Sequence, residues 1–234
     1  MNLFATTTGC INLAKYKVSV FGKIPSTQTF AHDLIARGAA TDHSAIVASA
    51  QSAGRGRYRR TWVSHHGNLY VSFIFKCTAR DGRLAYRVAV AVADTLRAFG
   101  VPAQIKWPND IMVDSRKICG ILIEYNQDFV VVGIGVNIKS NPRVNAAYKT
   151  TRLDRYCNAS SMDVLGGIMK NLDRWMHASF ATVRLRWMGL AMGLNDTIMY
   201  QGAPAQFHGI ASDGAMILMR DGAEIRCFGD EITI

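Results

Sequence analysis

The sequence predicts an α+β fold, with helices on a mixed, mainly antiparallel sheet and a small β unit at the C-terminal end. Three patterns carry that prediction. Residues 104–138 hold extended runs separated by tight turns, as antiparallel neighbours require. Helical periodicity recurs over residues 27–37, 83–100 and 161–190. Beyond residue 193 the chain breaks into short extended pieces divided by Gly, Pro and Asp.

In chain order, MNLFATTTGCINLAKYKVS has neither a basic start followed by an apolar core nor an Arg-rich amphipathic pattern, so residues 1–20 read as a short extension. TQTFAHDLIAR (27–37) places Phe30, Leu34 and Ile35 at helical spacing, with Ser26 or Thr27 as N-cap. AIVAS (45–49) reads as a buried strand, and NLYVSFIF (68–75) as a second, rich in β-branched and aromatic residues. RLAYRVAVAVADTLRAFG (83–100) is a helix that Gly100 stops. QIKW (104–107), IMV (111–113), KICGILIEY (117–125) and FVVVGIGVNI (129–138) are strands joined by turns. Residues 139–160 are polar and turn-rich, and Leu165, Ile168, Leu172, Trp175 and Met176 then mark one buried helical face. TIMYQG, AQFHGIAS, AMILMR, AEIRCFG and EITI suggest a small barrel or sandwich, too small to stand without a larger domain. The expected organisation is an extension (1–20), a main domain (21–192) and a C-terminal β domain (193–234).

The chain has 234 residues, 49% of them hydrophobic, enough for a proper core. Its net charge of +10 favours a polyanionic partner or an acidic protein surface, without saying which. Five scattered cysteines with no C-x-x-C pair exclude the common zinc spacings and a disulfide framework, and so favour a reducing compartment. No apolar run reaches the length of a membrane span.

Four segments carry chemistry. In QSAGRGRYRRTW (51–62), glycines let backbone approach a ligand, and arginines pair with phosphate or carboxylate. The Lys-Ser/Thr ending of a P-loop is missing, so this is not a Walker site. A solvated basic loop, or one that grips an RNA backbone, remains open on composition alone. In KWPND (106–110) the last three residues suit a turn, whereas Lys106 sits in a strand between apolar neighbours. A strand lysine is most often a snorkelling edge residue; the sharper reading is an ammonium facing a ligand. GIGVNI (133–138) is a weak G-x-G, and PSTQ (25–28) opens a helix.

Taken together and in order, these segments resemble the biotin protein ligases. A Ser-Thr pair opens a helix; then come Gln with G-R-G-R, K-W-P-N-D, K-x-x-G-I-L-x-E and G-I-G-V-N, over roughly residues 21–138. The resemblance implies a catalytic core related to class II aminoacyl-tRNA synthetases, capped by an SH3-like barrel. It also implies two steps: biotin and MgATP give biotinyl-5'-AMP, and the adenylate then acylates a lysine of a carboxylase's acceptor domain. About twenty residues precede the core, too few for the winged helix of many bacterial relatives, so no DNA binding is expected. Gln28 stands where many relatives carry Asn, and Tyr58 interrupts the basic run.

The resemblance also implies roles. Ser26, Thr27 and Gln51 suit the biotin ureido group, Arg55 supports that pocket, and Gln28, Gly54, Gly120 and Lys106 complete it. Arg57 and Lys106, with Mg²⁺, offset the repulsion between carboxylate and triphosphate. Arg55, Gly56, Arg57, Trp62, Lys106, Asn109 and Asn137 form the nucleotide set, with Trp62 beside the adenine and Asn137 at its edge. Asp110 is the candidate helper for the incoming lysine amine. The expected partners are biotin, ATP and an acidic acceptor domain, with no DNA and no membrane. The expected compartment is the cytoplasm, with an organelle such as the mitochondrion as the alternative. A lipoate or octanoyl ligase or transferase is the second enzyme reading, and a basic nucleic-acid-binding module is the reading from another class.

Overall fold

Strand formation begins earlier than the sequence reading placed it. A computed structural model describes residues 7–13, 15–142 and 149–229. The elements, in order, are β1 (Thr7–Leu13), β2 (Tyr16–Ile24), α1 (Thr27–Ala36), β3 (Ser44–Gln51), β4 (Leu69–Lys76), α2 (Leu84–Ala98), β5 (Gln104–Lys106) and β6 (Asp110–Val113). They continue with β7 (Arg116–Asn126), β8 (Phe129–Val136), α3 (Ser161–His177), α4 (Phe180–Met188), β9 (Thr197–Tyr200), β10 (Ala203–Ile210), β11 (Met216–Arg220) and β12 (Ala223–Cys227). The chain divides into two compact units, one of residues 1–80 and 115–169, the other of 81–114 and 170–234.

In the first unit the strands run β1-β2-β3-β4-β8-β7. Only β2 and β3 pair in parallel there; the other pairs are antiparallel, as in the mixed sheet the sequence predicts. β1 and β2 fall largely in the stretch read as an extension. β1 has little apolar alternation and is fixed by its pairing, whereas Tyr16, Val18 and Val20 of β2 alternate with Lys17 and Ser19, a strand pattern that the reading as an extension passed over. β4 is central, and Leu69 to Phe75 are all buried, so the strand reads as an almost unbroken apolar run. Ser72 is its polar exception. α1 packs Ala31 and Ile35 on a face that includes Ile46, Ala48, Ile74 and Val131, beside Phe21 and Ile24. Ser26 caps it, its hydroxyl oxygen accepting from the Thr29 N–H at 3.4 Å.

In the second unit, the run Val88 to Ala93 of α2 is fully buried, which explains its small and β-branched residues. The single helix expected over residues 161–190 is two. Arg87 Nη1 donates to the carbonyls of Trp175 and Ala178 at 2.7 and 2.6 Å, closing the end of α3. Ser179 then caps α4 by accepting from the Thr182 N–H at 3.2 Å. β9 to β12 form an antiparallel sheet in the order β12-β11-β10-β9. Among the described residues it does not close into the expected barrel, and the fifth extended piece, EITI, lies outside them. This sheet leans on the helices of its own unit. Trp187 of α4 meets Phe207 of β10 edge-on at 6.3 Å, and the Tyr86 hydroxyl of α2 donates to the Gly214 carbonyl at 2.6 Å.

Candidate active site

The predicted site residues divide between the units. Ser26, Thr27, Gln28, Gln51, Gly54, Arg55, Gly56, Arg57, Trp62, Gly120 and Asn137 belong to the first; Lys106, Asn109 and Asp110 belong to the second. Each set is described within its own unit.

In the first unit, the start of α1 and the end of β3 build a network of neutral polar groups. The Thr27 N–H donates to Gln51 Oε1 at 2.8 Å, and the Thr27 hydroxyl reaches the same oxygen at 3.2 Å. Gln51 Nε2 donates to Ser64 Oγ at 2.8 Å, and the Ser64 hydroxyl donates to the Trp62 carbonyl at 2.9 Å. On the other side, the Ser72 hydroxyl lies 2.9 Å from Thr27 Oγ1 and 3.0 Å from Gln28 Oε1. Ser26, Thr27, Gln28, Ser64 and Ser72 are all buried. Burying so many polar groups is costly unless each is paired, so the set is built rather than incidental. Ser72 and Ser64 were not singled out in the sequence. The lone serine in the apolar and aromatic run NLYVSFIF was the signal for Ser72.

The glycine–arginine segment is a short hairpin. The Trp62 N–H donates to the Gly54 carbonyl at 2.9 Å and the Gly56 N–H to the Arg60 carbonyl at 2.8 Å, with a single turn over Arg57–Arg59 at the tip. Tyr58 and Arg59 there adopt left-handed φ of 53° and 59°, unusual for residues with side chains. Gly54 is needed because a Cβ would meet the Trp62 carbonyl and stand 2.6 Å from Ser64 Oγ. Arg57 donates to the Tyr58 hydroxyl at 3.0 Å, with its guanidinium 4.9 Å from that ring centroid. Arg55 points elsewhere, to Glu124 Oε1 at 2.7 Å.

Trp62 lies on the faces of β7 and β8. A Cβ on Gly120 would stand 2.9 Å from the indole, and one on Gly135 would stand 2.6 Å from it. Lys117 Nζ lies 5.3 Å from the same ring centroid. The indole N–H is buried without a hydrogen-bond partner, an open donor beside two glycines. Asn137 donates through Nδ2 to the Thr151 carbonyl at 3.1 Å, and its Oδ1 is buried with no partner. A buried acceptor of this kind suits a ligand amine. Gly133 holds a different neighbour: a Cβ there would lie 2.6 Å from Gln28 Oε1.

Glu124 was also missed, although it ends the K-x-x-G-I-L-x-E motif. Its carboxyl is held down to about 2, chiefly by the His32 hydrogen bond and further by Gln28 and Arg55, against the opposing effect of burial.

In the second unit, β5 and β6 form a hairpin in which Lys106 and Asp110 are register partners. Both side chains are buried, at 7% and 6% exposure, so Lys106 is not the snorkelling edge residue of the plainer reading. Asn109 sits in the turn and is half-buried. Trp107 packs on Tyr86 at 5.6 Å and Trp187 at 6.2 Å, as a core residue does.

Comparison with known proteins gives these features a context. The chain is 28% identical to the bifunctional ligase/repressor BirA of Bacillus subtilis over 83% of this chain and 67% of that protein. It is 29% identical to the biotin–[acetyl-CoA-carboxylase] ligase of Paracoccus denitrificans over 74% of this chain and 82% of the relative. Among solved structures, the biotin protein ligase of Aquifex aeolicus in complex with biotin and ATP superposes with a TM-score of 0.79 at 23% identity, over 94% of this chain and 98% of that one. The Leishmania major biotin protein ligase with biotinyl-5-AMP gives 0.68 at 22% identity, over 90% and 98% of the two chains. At these identities the superpositions establish the shared fold. Residues 20–141, more than half of the chain, match the family model itself, and the protein therefore belongs to the biotin/lipoate A/B protein ligase family.

Proposed function

We propose that the protein is an ATP-dependent biotin protein ligase. It activates biotin to biotinyl-5'-AMP and transfers the biotinyl group to a lysine of a carboxylase's acceptor domain. The curated relatives named as biotin ligases support this reading within the family. The observation that carries it is the neutral polar network of Thr27, Gln28, Gln51, Ser64 and Ser72. A ureido ring offers one carbonyl acceptor and two N–H donors, which match such a set. The dithiolane ring of lipoate offers neither, and would leave the Ser26 hydroxyl hydrogen without an acceptor. Sites built for a hydrogen-bonding ligand reject analogues lacking those groups by about 10⁴–10⁵.

In the first step a biotin carboxylate oxygen attacks the α-phosphorus; that O–P bond forms and the bond to pyrophosphate breaks. The nucleophile is already ionised at neutral pH, so no base is required. Arg57 and Lys106 supply positive charge where the two anions meet. Mg²⁺ arrives with the nucleotide and contributes further charge to the phosphates. Asn137 Oδ1 accepts from the exocyclic amine of adenine, and Trp62 packs beside the base. Ser26 accepts in its cap bond, so its hydroxyl hydrogen remains to donate to the ureido oxygen. Gly54, Gly56 and Gly120 leave room for close approach, Arg55 supports the biotin pocket and Asn109 shapes the K-W-P-N-D turn. In the second step the acceptor lysine amine attacks the acyl carbon, AMP leaves, and Asp110 takes the amine proton.

The +10 charge suits an acidic acceptor domain and favours fast encounter. Residues 21–192 form the catalytic part on this reading, and 193–234 an SH3-like barrel. The five cysteines are free, in keeping with a reducing compartment such as the cytoplasm. No described helix is long and apolar enough to cross a membrane.

The test is ATP–pyrophosphate exchange with biotin, with lipoate and with neither. Biotin-dependent exchange is expected; exchange that ignores biotin, or that requires lipoate, removes the proposal.

A further inference from the structure

Glu124 lies on β7, with Val131 of β8 as its register partner, and three separate pieces of the first unit meet at its carboxylate. Oε1 accepts from Arg55 Nη2 at 2.7 Å. Oε2 accepts from Gln28 Nε2 at 2.9 Å and lies 3.0 Å from His32 Nε2. Asn126 Nδ2 stands 3.1 Å from His32 Nδ1, so an imidazole with its hydrogen on Nε2 satisfies both of its neighbours. One acidic side chain thus joins the glycine–arginine hairpin, α1 and the sheet.

An ionised carboxylate only accepts hydrogen bonds. Gln28 must therefore turn its NH₂ toward Glu124 and its oxygen toward Ser72, 3.0 Å away. The Thr27 N–H fixes Gln51 in the same way, with Oε1 facing Thr27 at 2.8 Å. Two amide oxygens then face two hydroxyls, and the hydrogens of Ser72 and Thr27 are committed to them. A flipped Gln28 would present NH₂ to Ser72 and reverse the pattern. Glu124 also neutralises Arg55. The ion pair is partly exposed, at 42% for the Arg55 side chain and 28% for Glu124, and by itself would contribute little. Its weight comes from the shared acceptor, because loss of the carboxylate disturbs the hairpin and α1 together.

We infer that Glu124 is a positioning residue for the ligase reaction. It fixes the amide of Gln28, and through it the donor–acceptor pattern that reads the biotin ring, while its other oxygen straps Arg55 and with it the hairpin. The inference rests on the ligase reading above. The donors that surround Glu124 also keep the strap charged throughout the neutral range.

Glu124→Gln tests it, because the amide keeps the shape but turns an NH₂ toward Arg55 or toward Gln28. In ATP–pyrophosphate exchange the KM for biotin should rise roughly tenfold to hundredfold, as for a lost charged hydrogen bond. The kcat at saturating biotin should stay within about threefold, because Lys106 and Arg57 are untouched. Arg55→Gln severs the strap but leaves Gln28 bonded to Glu124. It should speed escape of biotinyl-5'-AMP while moving the biotin KM less. Hydrogen exchange across residues 54–62 of the ligand-free protein should quicken in both variants. A Glu124→Gln enzyme with a normal biotin KM overturns the inference, whether kcat falls or not, since a purely structural loss lowers the active fraction without moving KM. If the parent shows no biotin-dependent exchange, the ligase reading itself has failed. The strap is then judged by hydrogen exchange alone, and equal protection in parent and variants overturns it.

Discussion

The indole of Trp62 lies so close over Gly135 that a Cβ at that position would stand 2.6 Å from both its Cε2 and its Nε1. The neighbour is a ring and not the tip of a flexible chain, so it cannot yield without moving as a whole. Gly135→Ala should therefore displace Trp62 and destabilise the protein by about 1–3 kcal/mol, as overpacking does. If Trp62 borders the adenine, the KM for ATP should rise more than the KM for biotin. Unchanged tryptophan fluorescence together with an unchanged ATP KM would show that the indole does not occupy this position in the working enzyme.

Acid tolerance offers a second test. The Glu124 carboxyl is held down to about 2, from a usual 4.5, by His32 first and by Gln28 and Arg55 after it. A folded-state pKa below the unfolded one stabilises the fold at pH values above the unfolded pKa, and that stability is lost as pH falls toward the folded pKa. Nothing from this group should change between pH 8 and pH 5. From about 4.5 down to about 2, the stability gap between parent and Glu124→Gln should close. Denaturant titrations across that range check it; a gap that stays constant to pH 2.5 contradicts the held-down carboxyl.

The third test concerns Lys106. Its side chain is buried opposite Asp110, and its proposed charge acts where carboxylate meets phosphate. Lys106→Ala should lower the rate of adenylate formation by about 10²–10³, the usual loss for one charged stabiliser. Biotin binding, measured by calorimetry without ATP, should fall far less. Parental exchange rates in the variant would leave this lysine with only a structural part.

These tests lean on features of unequal legibility. α1, β4, α2 and the strands from β5 to β8 were readable because their apolar pattern matches their burial. β1 was not, since a strand fixed by its partner carries little pattern of its own, while the alternation of Tyr16, Val18 and Val20 in β2 was legible but was absorbed into the extension. The break at Ala178 depends on Arg87, distant in sequence, gathering the last carbonyls of α3. The site residues in glycine–arginine and K-W-P-N-D motifs were legible as motifs. Ser64, Ser72, Lys117 and Glu124 acquire meaning only through neighbours, such as Gln28 and His32, that folding brings to them. An acid ending an apolar strand was visible, but its three donors were not.

Arg57 allows the two halves of the reaction to be separated. Arg57 is half-buried as a residue and its guanidinium rests on the exposed Tyr58 ring, so Arg57→Gly should change stability by only about 0.5–1 kcal/mol, mostly through the freer glycine backbone. The ring-reading network around Thr27 and Gln51 and the Arg55–Glu124 pair should remain, as should Lys106. Adenylate should therefore still form, though more slowly. What the variant lacks is a bidentate charged partner for the mixed anhydride, an interaction worth on the order of 1.5–3 kcal/mol. That corresponds to roughly tenfold to hundredfold faster escape. Released biotinyl-5'-AMP acylates exposed lysines without regard to their setting. The variant should label added serum albumin, whereas the parent should label chiefly its acceptor domain. A variant that forms adenylate and retains it as tightly as the parent removes this role from Arg57. A variant that forms none makes Arg57 indispensable to the attack on the α-phosphorus, rather than chiefly a clamp on the adenylate.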